Sequence, residues 1–153
     1  MSLRERIEKQ VADGLGAIEE QKRADQKFDD AWHALKIGVV HKVLTEAGKA
    51  IEATKLGGAH VDHTDYGVAL MVGIPKRDAG GYHENKLALA SDRKALRVVC
   101  STLPPNLLDK VVEREGFASL ELDEIDEEML EKLSEAFVEG ILDGVALRAR
   151  SRR

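Results

Sequence analysis

Apolar residues recur at helical spacing along the first third of the chain. Between residues 3 and 18 they form one narrow stripe on a charged segment, consisting of Leu3, Ile7, Val11, Leu15 and Ile18. A wider apolar face follows, consisting of Phe28, Trp32, Val39, Val40, Val43, Leu44, Ala47 and Ile51. These spacings predict helix from residue 3 until close to Gly57 and Gly58. By the same spacing His33 falls on the buried face, as a core residue, and His41 on the polar face.

The length of this predicted helix raises a packing problem. A single helix from Leu3 to Lys55 would be about 80 Å long, whereas a compact domain of this size has a radius of gyration of about 15 Å. Either the helix breaks at Gly14 or Gly16 and folds back, or a second subunit covers the stripe. We favour a second subunit because symmetric homodimers are the commonest oligomers. The chain then divides into a projecting helix, 1–27, whose stripe is the oligomer contact, and a single α+β domain, 28–153.

The middle of the chain has the pattern of β-strands. Residues 67–74 are a short apolar run, residues 86–91 and 95–101 flank a tight turn, and residues 59–65 have weaker strand character. Consecutive strands with short connections predict an antiparallel meander. Cys100 points inward on its strand, which predicts a packed, unreactive thiol.

The last part of the chain predicts a second long helix. Residues 104–105 are a Pro-Pro pair that ends the predicted sheet, and residues 106–115 fit either a short helix or a further strand. Asp126 is placed to cap the last helix. The inward stripe of this helix is Leu130, Leu133, Phe137, Ile141 and Val145. Gly140 and Gly144 predict a close approach to another backbone.

These elements together predict a two-layer α+β fold. An antiparallel sheet of about four strands is expected, with the long N-terminal helix and the C-terminal helix packed on one face. A chain of 153 residues with 43% apolar and 33% charged residues fits a globular domain. The six aromatic residues are too few for a base-stacking surface. One cysteine and the lack of a membrane-spanning apolar run predict a cytoplasmic protein.

Charge is unevenly distributed along the chain. Residues 109–143 carry thirteen acidic and three basic side chains, and arginines follow at 148, 150, 152 and 153. Acids early and arginines late in a helix suit the helix dipole. The arginine tail is the basic stretch through which a nucleic acid would bind, but we do not favour that function because the rest of the chain is acidic.

The chain contains one cluster with metal-ligating side chains. His60, His63 and Asp65 lie within six residues, and imidazole and carboxylate groups are common ligands of zinc. On a strand His60 points to one face while His63 and Asp65 point to the other. Convergence therefore needs a turn and a further ligand, for which His83 is available. These four residues are the candidate metal ligands.

A second candidate site lies in the predicted loop from Pro75 to Glu84. Lys76 and Arg77 stand near a glycine pair and are candidate anion contacts, although the loop lacks the strand–loop–helix context of a phosphate cradle. The sequence contains no nucleophile elbow and no arrangement typical of a catalytic triad.

The sequence by itself does not specify a chemistry. The favoured function is a non-enzymatic protein-interaction or homo-oligomeric assembly module, without a cofactor, working as a homodimer and open to a further protein partner. A metal-dependent enzyme or metal-binding protein using the His60 and His63 region is the alternative. A nucleic-acid-associated protein using the arginine tail is a further alternative, and no membrane partner is expected.

Overall fold

The N-terminal third of the chain is helical. The structure, a computed structural model, describes residues 1–77, 80–108 and 117–151. Helix α1 spans Leu3–Leu35, a π-helical segment spans Lys36–Val40, and helix α2 spans His41–Ala53. Helix α1 continues through the two glycines at positions 14 and 16, so the predicted alternative of a break there is wrong.

The helix changes direction at Gly38. This residue has φ −95° and ψ −107°, far from helical values, inside the π-helical segment. Glycine readily takes such a conformation because it lacks a Cβ atom. A π-helical turn holds an extra residue, so the helical phase shifts between α1 and α2. His33 was placed on the buried face by counting across this segment. It is exposed, and that prediction is wrong.

In the part of the chain that the structure describes, five strands form one antiparallel meander in chain order. They are β1 (Gly58–His63), β2 (Gly67–Pro75), β3 (Tyr82–Asp92), β4 (Arg97–Leu103) and β5 (Phe117–Leu120). Four strands were expected, and β5 is the addition. It pairs with the outer edge of β4, where Val98 lies opposite Leu120. An uncovered edge leaves backbone N–H and C=O groups unpaired, and β5 satisfies part of this edge.

The two faces of the sheet differ in burial. One face packs into the core together with Phe28, Trp32, Leu44 and Phe137 of the helices. Its main members are Val68, Leu70, Val72, Leu87, Leu89, Val98 and Cys100. The opposite face carries smaller or more polar side chains that are only half-buried, among them Ala69, Met71, Ala88, Val99 and Ser101. The predicted α+β class, with helices on a sheet, is confirmed.

The C-terminal part closes the core. A 3₁₀ turn spans Pro105–Leu108, a second spans Leu122–Glu124, and helix α3 spans Glu127–Ser151. For residues 106–115 the sequence predicted either a short helix or a strand. The structure shows a 3₁₀ turn up to Leu108, and residues 109–116 lie outside the described residues. Asp126 caps α3 as predicted, because its Oδ1 accepts a hydrogen bond from Met129 N at 2.8 Å.

Gly140 allows α3 to lie directly on the Pro105–Leu108 turn. A Cβ atom at this position would lie 2.5 Å from the carbonyl oxygen of Leu107. The predicted close backbone approach is therefore confirmed at Gly140. A Cβ atom at Gly144 would have Arg148 Nη1 as its nearest neighbour, at 3.5 Å, and no backbone atom of another described segment lies within 4 Å of it.

Among the described residues, no helix is both long enough and apolar enough to cross a lipid bilayer.

Candidate functional site

The stripe of α1 is the largest group of exposed apolar side chains on one element. Every residue from 1 to 23 is exposed. The five members of the stripe are Leu3 (64% exposed), Ile7 (49%), Val11 (53%), Leu15 (59%) and Ile18 (52%). Soluble surfaces rarely leave so many large apolar side chains uncovered in one row. The stripe therefore has the character of a contact surface.

Among the described residues, the contacts that anchor helix α1 to the rest of the molecule lie in its second half. Phe28 and Trp32 are buried in the core, and Asp29 Oδ2 accepts a hydrogen bond from Arg93 at 2.6 Å. The part of α1 before Phe28 extends for about 38 Å at ~1.5 Å per residue. Counted at 100° per residue, the stripe lies on roughly the same side of α1 as Phe28 and Trp32. A partner on the stripe would therefore also approach the domain.

The charges of the α1 segment are balanced but segregated. Residues 1–27 contain six basic and six acidic side chains. Three of the bases, Arg4, Arg6 and Lys9, lie near the start. Between residues 10 and 21 the charged side chains are all acidic, namely Asp13, Glu19 and Glu20. The segment is thus neutral as a whole, with an excess of positive charge at the start and of negative charge in the middle.

Two histidines from different elements meet beside β1. His41 Nδ1 at the start of α2 lies 2.8 Å from His63 Nε2 at the end of β1, so one ring nitrogen donates a hydrogen bond to the other. Desolvation lowers the pKa of His63, and the neighbouring His41 and Lys36 lower it further, while Asp62 acts in the opposite direction. Both rings are exposed.

The other candidate metal ligands lie apart from this contact. His60 is on the opposite face of β1, with Nε2 3.6 Å from Asp62 Oδ2. Asp65 is exposed in the β1–β2 turn, where its backbone oxygen accepts a hydrogen bond from Lys36 Nζ. His83 pairs with Ile74 near the other end of the sheet. The structure therefore does not bring the four predicted ligands together.

The described residues include one other set of potential metal ligands, Glu121, Asp123 and Glu124, all exposed. Arg97 accounts for part of this acidic group, because its guanidinium lies 3.1 Å from Glu121 and 3.8 Å from Glu124. Glu124 also accepts a hydrogen bond from Glu121 N. Arg97 therefore pairs with two of the three carboxylates, which gives those two a structural explanation.

Lys76 and Arg77 follow β2 in the turn to β3. They line a cleft of about 70 Å³ together with His83 and Arg148 of α3. The first arginine of the C-terminal tail and the two candidate anion contacts thus share one cleft, while Arg152 and Arg153 lie outside the described residues. The predicted loop was Pro75–Glu84, but strand pairing continues through Pro75 and Tyr82, which shortens it.

Cys100 is fully buried in the core face of β4. Burial raises the pKa of its thiol to about 12, so the thiolate needed for nucleophilic attack is absent at neutral pH. The predicted inward-facing, packed cysteine is confirmed.

Sequence reasoning missed the contact between His41 and His63. His41 was correctly placed on an exposed face, and His63 was assigned to the opposite strand face from His60, but the two residues are 22 positions apart. Only the bend at Gly38 and the position of β1 beside α2 bring them together. The sequence offered only two signals of this contact. One was a histidine on the polar face of a predicted helix, and the other was a histidine at the end of the strand that follows it.

No protein-family model, no curated protein and no solved structure matches this chain. The exposed stripe and the charges around it are therefore the basis for assigning a function.

Proposed function

We propose that the protein is a non-enzymatic, homo-oligomeric assembly module whose unit is a dimer formed through the stripe of α1. The observation that carries this proposal is the exposure of all five large apolar side chains of the stripe. Full burial of a Leu, Ile or Val side chain contributes about 1.5–3 kcal/mol, so covering five half-exposed ones favours association.

The isolated α1 segment also lacks the packing that usually stabilises a helix. Most helical stability in proteins comes from tertiary contacts of an apolar face. Gly14 and Gly16 each cost about 1 kcal/mol relative to alanine in a helix interior. Within the described residues, nothing lies within 4 Å of a methyl group built at either glycine. A partner helix on the stripe would supply the missing contacts.

Charge complementarity favours a second copy of this chain in an antiparallel orientation. Of the basic residues at the start of α1 and the acidic residues in its middle, Arg4 and Glu19 lie nearest the stripe when counted at 100° per residue. Antiparallel pairing about Val11 brings Arg4 of one copy beside Glu19 of the other. A parallel pair would instead bring Glu19 level with the partner's Glu19, and like charges at short range repel. The neutral sum of the segment avoids a net repulsion between two copies.

The spacing of the stripe fits this antiparallel pair. Val11 lies opposite the partner's Val11, so the twofold axis passes beside this residue. Leu3 then lies close to the partner's Ile18, and Ile7 lies opposite the partner's Leu15. Each apolar residue of the stripe thus has an apolar partner.

The mass of the full chain in solution tests the dimer. Sedimentation or light scattering should give a dimer for the wild type and a monomer for Val11→Glu, because two carboxylates would meet at the twofold axis. Ala12→Glu is the matched control, since it adds the same charge to the same helix away from the stripe. A monomeric wild type, or a dimer that survives Val11→Glu unchanged, contradicts the proposal.

Cysteine crosslinking tests the orientation. A mixture of Leu3→Cys and Ile18→Cys chains should form a disulfide between unlike chains on mild oxidation, whereas Leu3→Cys alone should not. The buried Cys100 does not compete. Efficient disulfide formation by Leu3→Cys alone would indicate a parallel pair and exclude the antiparallel one.

A further inference from the structure

We propose that His41 and His63, the histidine pair, bind a first-row transition-metal dication of the Zn²⁺ or Ni²⁺ class between the start of α2 and the end of β1. Imidazole nitrogens are favoured ligands of these ions. His41 Nδ1 and His63 Nε2 lie 2.8 Å apart, and the ring centres are 4.9 Å apart with the planes inclined by 38°. The two candidate ligand atoms thus already face each other.

The observed distance is close to that of a metal-bound pair. Two nitrogens at ~2.0–2.1 Å from a tetrahedral zinc ion are about 3.3 Å apart. The nitrogens therefore need to separate by only about 0.5 Å, with a small rotation of each ring. Because both rings are exposed, the core does not oppose this movement.

The fold holds the two ligands in position. Lys36 Nζ donates hydrogen bonds to the backbone oxygens of Thr64 (2.9 Å) and Asp65 (3.2 Å). Trp32 Nε1 donates to the backbone oxygen of Tyr66 at 2.9 Å. Both donor side chains are buried, so the turn directly after His63 is fixed to the helix.

The site supplies two protein ligands and leaves the other positions to water. Among the described residues, no third histidine, cysteine or carboxylate joins the pair in a metal-holding group. The ammonium of Lys36 lies close enough to lower the pKa of His63 and also opposes a cation there. We therefore expect modest affinity and a site that exchanges its metal with solution.

Titration of the metal-free full chain with Zn²⁺ tests this site. Calorimetry should show that one equivalent of Zn²⁺ binds per chain and that this binding requires both histidines of the pair. Loss of a group that hydrogen-bonds a metal ligand typically weakens metal binding roughly 10–100-fold, and loss of a ligand should cost at least as much. His41→Gln and His63→Gln should therefore each weaken binding by about ten-fold or more. His60→Gln is the matched control, because it removes an exposed histidine from the other face of the same strand.

The control defines what would overturn the proposal. Unchanged affinity in His41→Gln or in His63→Gln contradicts the site, and so does an equal loss in His60→Gln. Nuclear magnetic resonance of the wild type decides the question if a variant fails to fold, since Zn²⁺ should shift His41 Nδ1 and His63 Nε2. A shift confined to other histidines excludes the pair. Binding should persist in Val11→Glu, which separates this result from the dimer proposal.

Discussion

Single side chains in this protein owe their properties to neighbours from distant parts of the chain. His63 lies at a strand end, yet two neighbours that help to lower its pKa, His41 and Lys36, belong to the helical third. Gly140 lies inside a helix, yet the nearby carbonyl of Leu107 leaves no room for a side chain at this position. The spacing of two glycines predicted close packing of α3 but could not say which glycine makes the contact.

We expect His63 to titrate below the ordinary histidine value of 6.5. The folded state favours the neutral form of His63, so above pH 6.5 this residue makes its full stabilising contribution to the free energy of unfolding. That contribution is lost as the pH falls from 6.5 through the folded-state pKa. The ring-proton shift, followed against pH in the presence of a chelator, measures this pKa.

The neighbours of His63 provide the controls for this titration. Replacing His41 by glutamine should raise the pKa of His63, and Asp62→Asn should lower it. An unchanged titration in both variants would show that neither neighbour influences the ring.

The two glycines of α3 should respond oppositely to alanine. Gly140→Ala would force a methyl group against the backbone of Leu107 and should cost about 1–3 kcal/mol of the free energy of unfolding. Gly144→Ala meets only the end of the Arg148 side chain and should stabilise the helix by up to about 1 kcal/mol. Denaturant unfolding of both variants measures the difference, and equal effects would contradict the packing of Gly140.

At the scale of elements, the connection between the helical third and the sheet depends on the π-helical segment. It bends the helix at Gly38 and buries Lys36, whose ammonium is hydrogen-bonded to the β1–β2 turn. A buried lysine is unusual unless it is paired, and here two backbone oxygens provide the partners. The sequence predicted both helices and β1 but held no indication of this contact.

Lys36→Met should destabilise the protein by about 1–3 kcal/mol. Methionine preserves much of the aliphatic contact but leaves the carbonyl groups of Thr64 and Asp65 without their hydrogen-bond donor. Lys42→Met is the control, because Lys42 is exposed and its ion pair with Glu127 at 3.4 Å is worth at most about 1 kcal/mol. Thermal or denaturant unfolding compares the two, and an equal loss would exclude a special role for Lys36.

At the scale of the whole molecule, one core joins the sheet to the helices from Phe28 onward. Among the described residues, the segment before residue 24 contributes no side chain to this core. Among the described residues, no part of this chain covers the apolar residues of the stripe. The division of the chain into 1–27 and 28–153 remains a prediction, as does the dimer.

The thermal stability of the wild type should depend on protein concentration. Association that occurs only in the folded state raises the Tm as concentration increases. Val11→Glu should remove this dependence, whereas Ala12→Glu should retain it. Calorimetric scans over a wide concentration range measure the effect, and a constant Tm for the wild type would contradict dimerisation through the stripe.

The sequence by itself determined most of the elements and the side chains of the core. Within the described residues, the apolar spacing located helices α1, α2 and α3 and the first four strands, because burial of an amphipathic face is a local property of the pattern. It also placed Cys100 in the core and Asp126 at the cap. The length of the apolar helical pattern indicated that the helix either folds back at Gly14 or Gly16 or extends beyond a compact domain, and the structure excludes the fold-back.

Only the tertiary structure decided the features that join separate elements. The bend at Gly38, the placement of β5 on β4, the burial of Lys36 and the meeting of His41 with His63 all depend on contacts between residues far apart in the chain. Such contacts arise from how the layers pack, and periodicity within one segment carries no information about them. His33 shows the consequence, since one additional residue in a helical turn moved it from the predicted core to the surface.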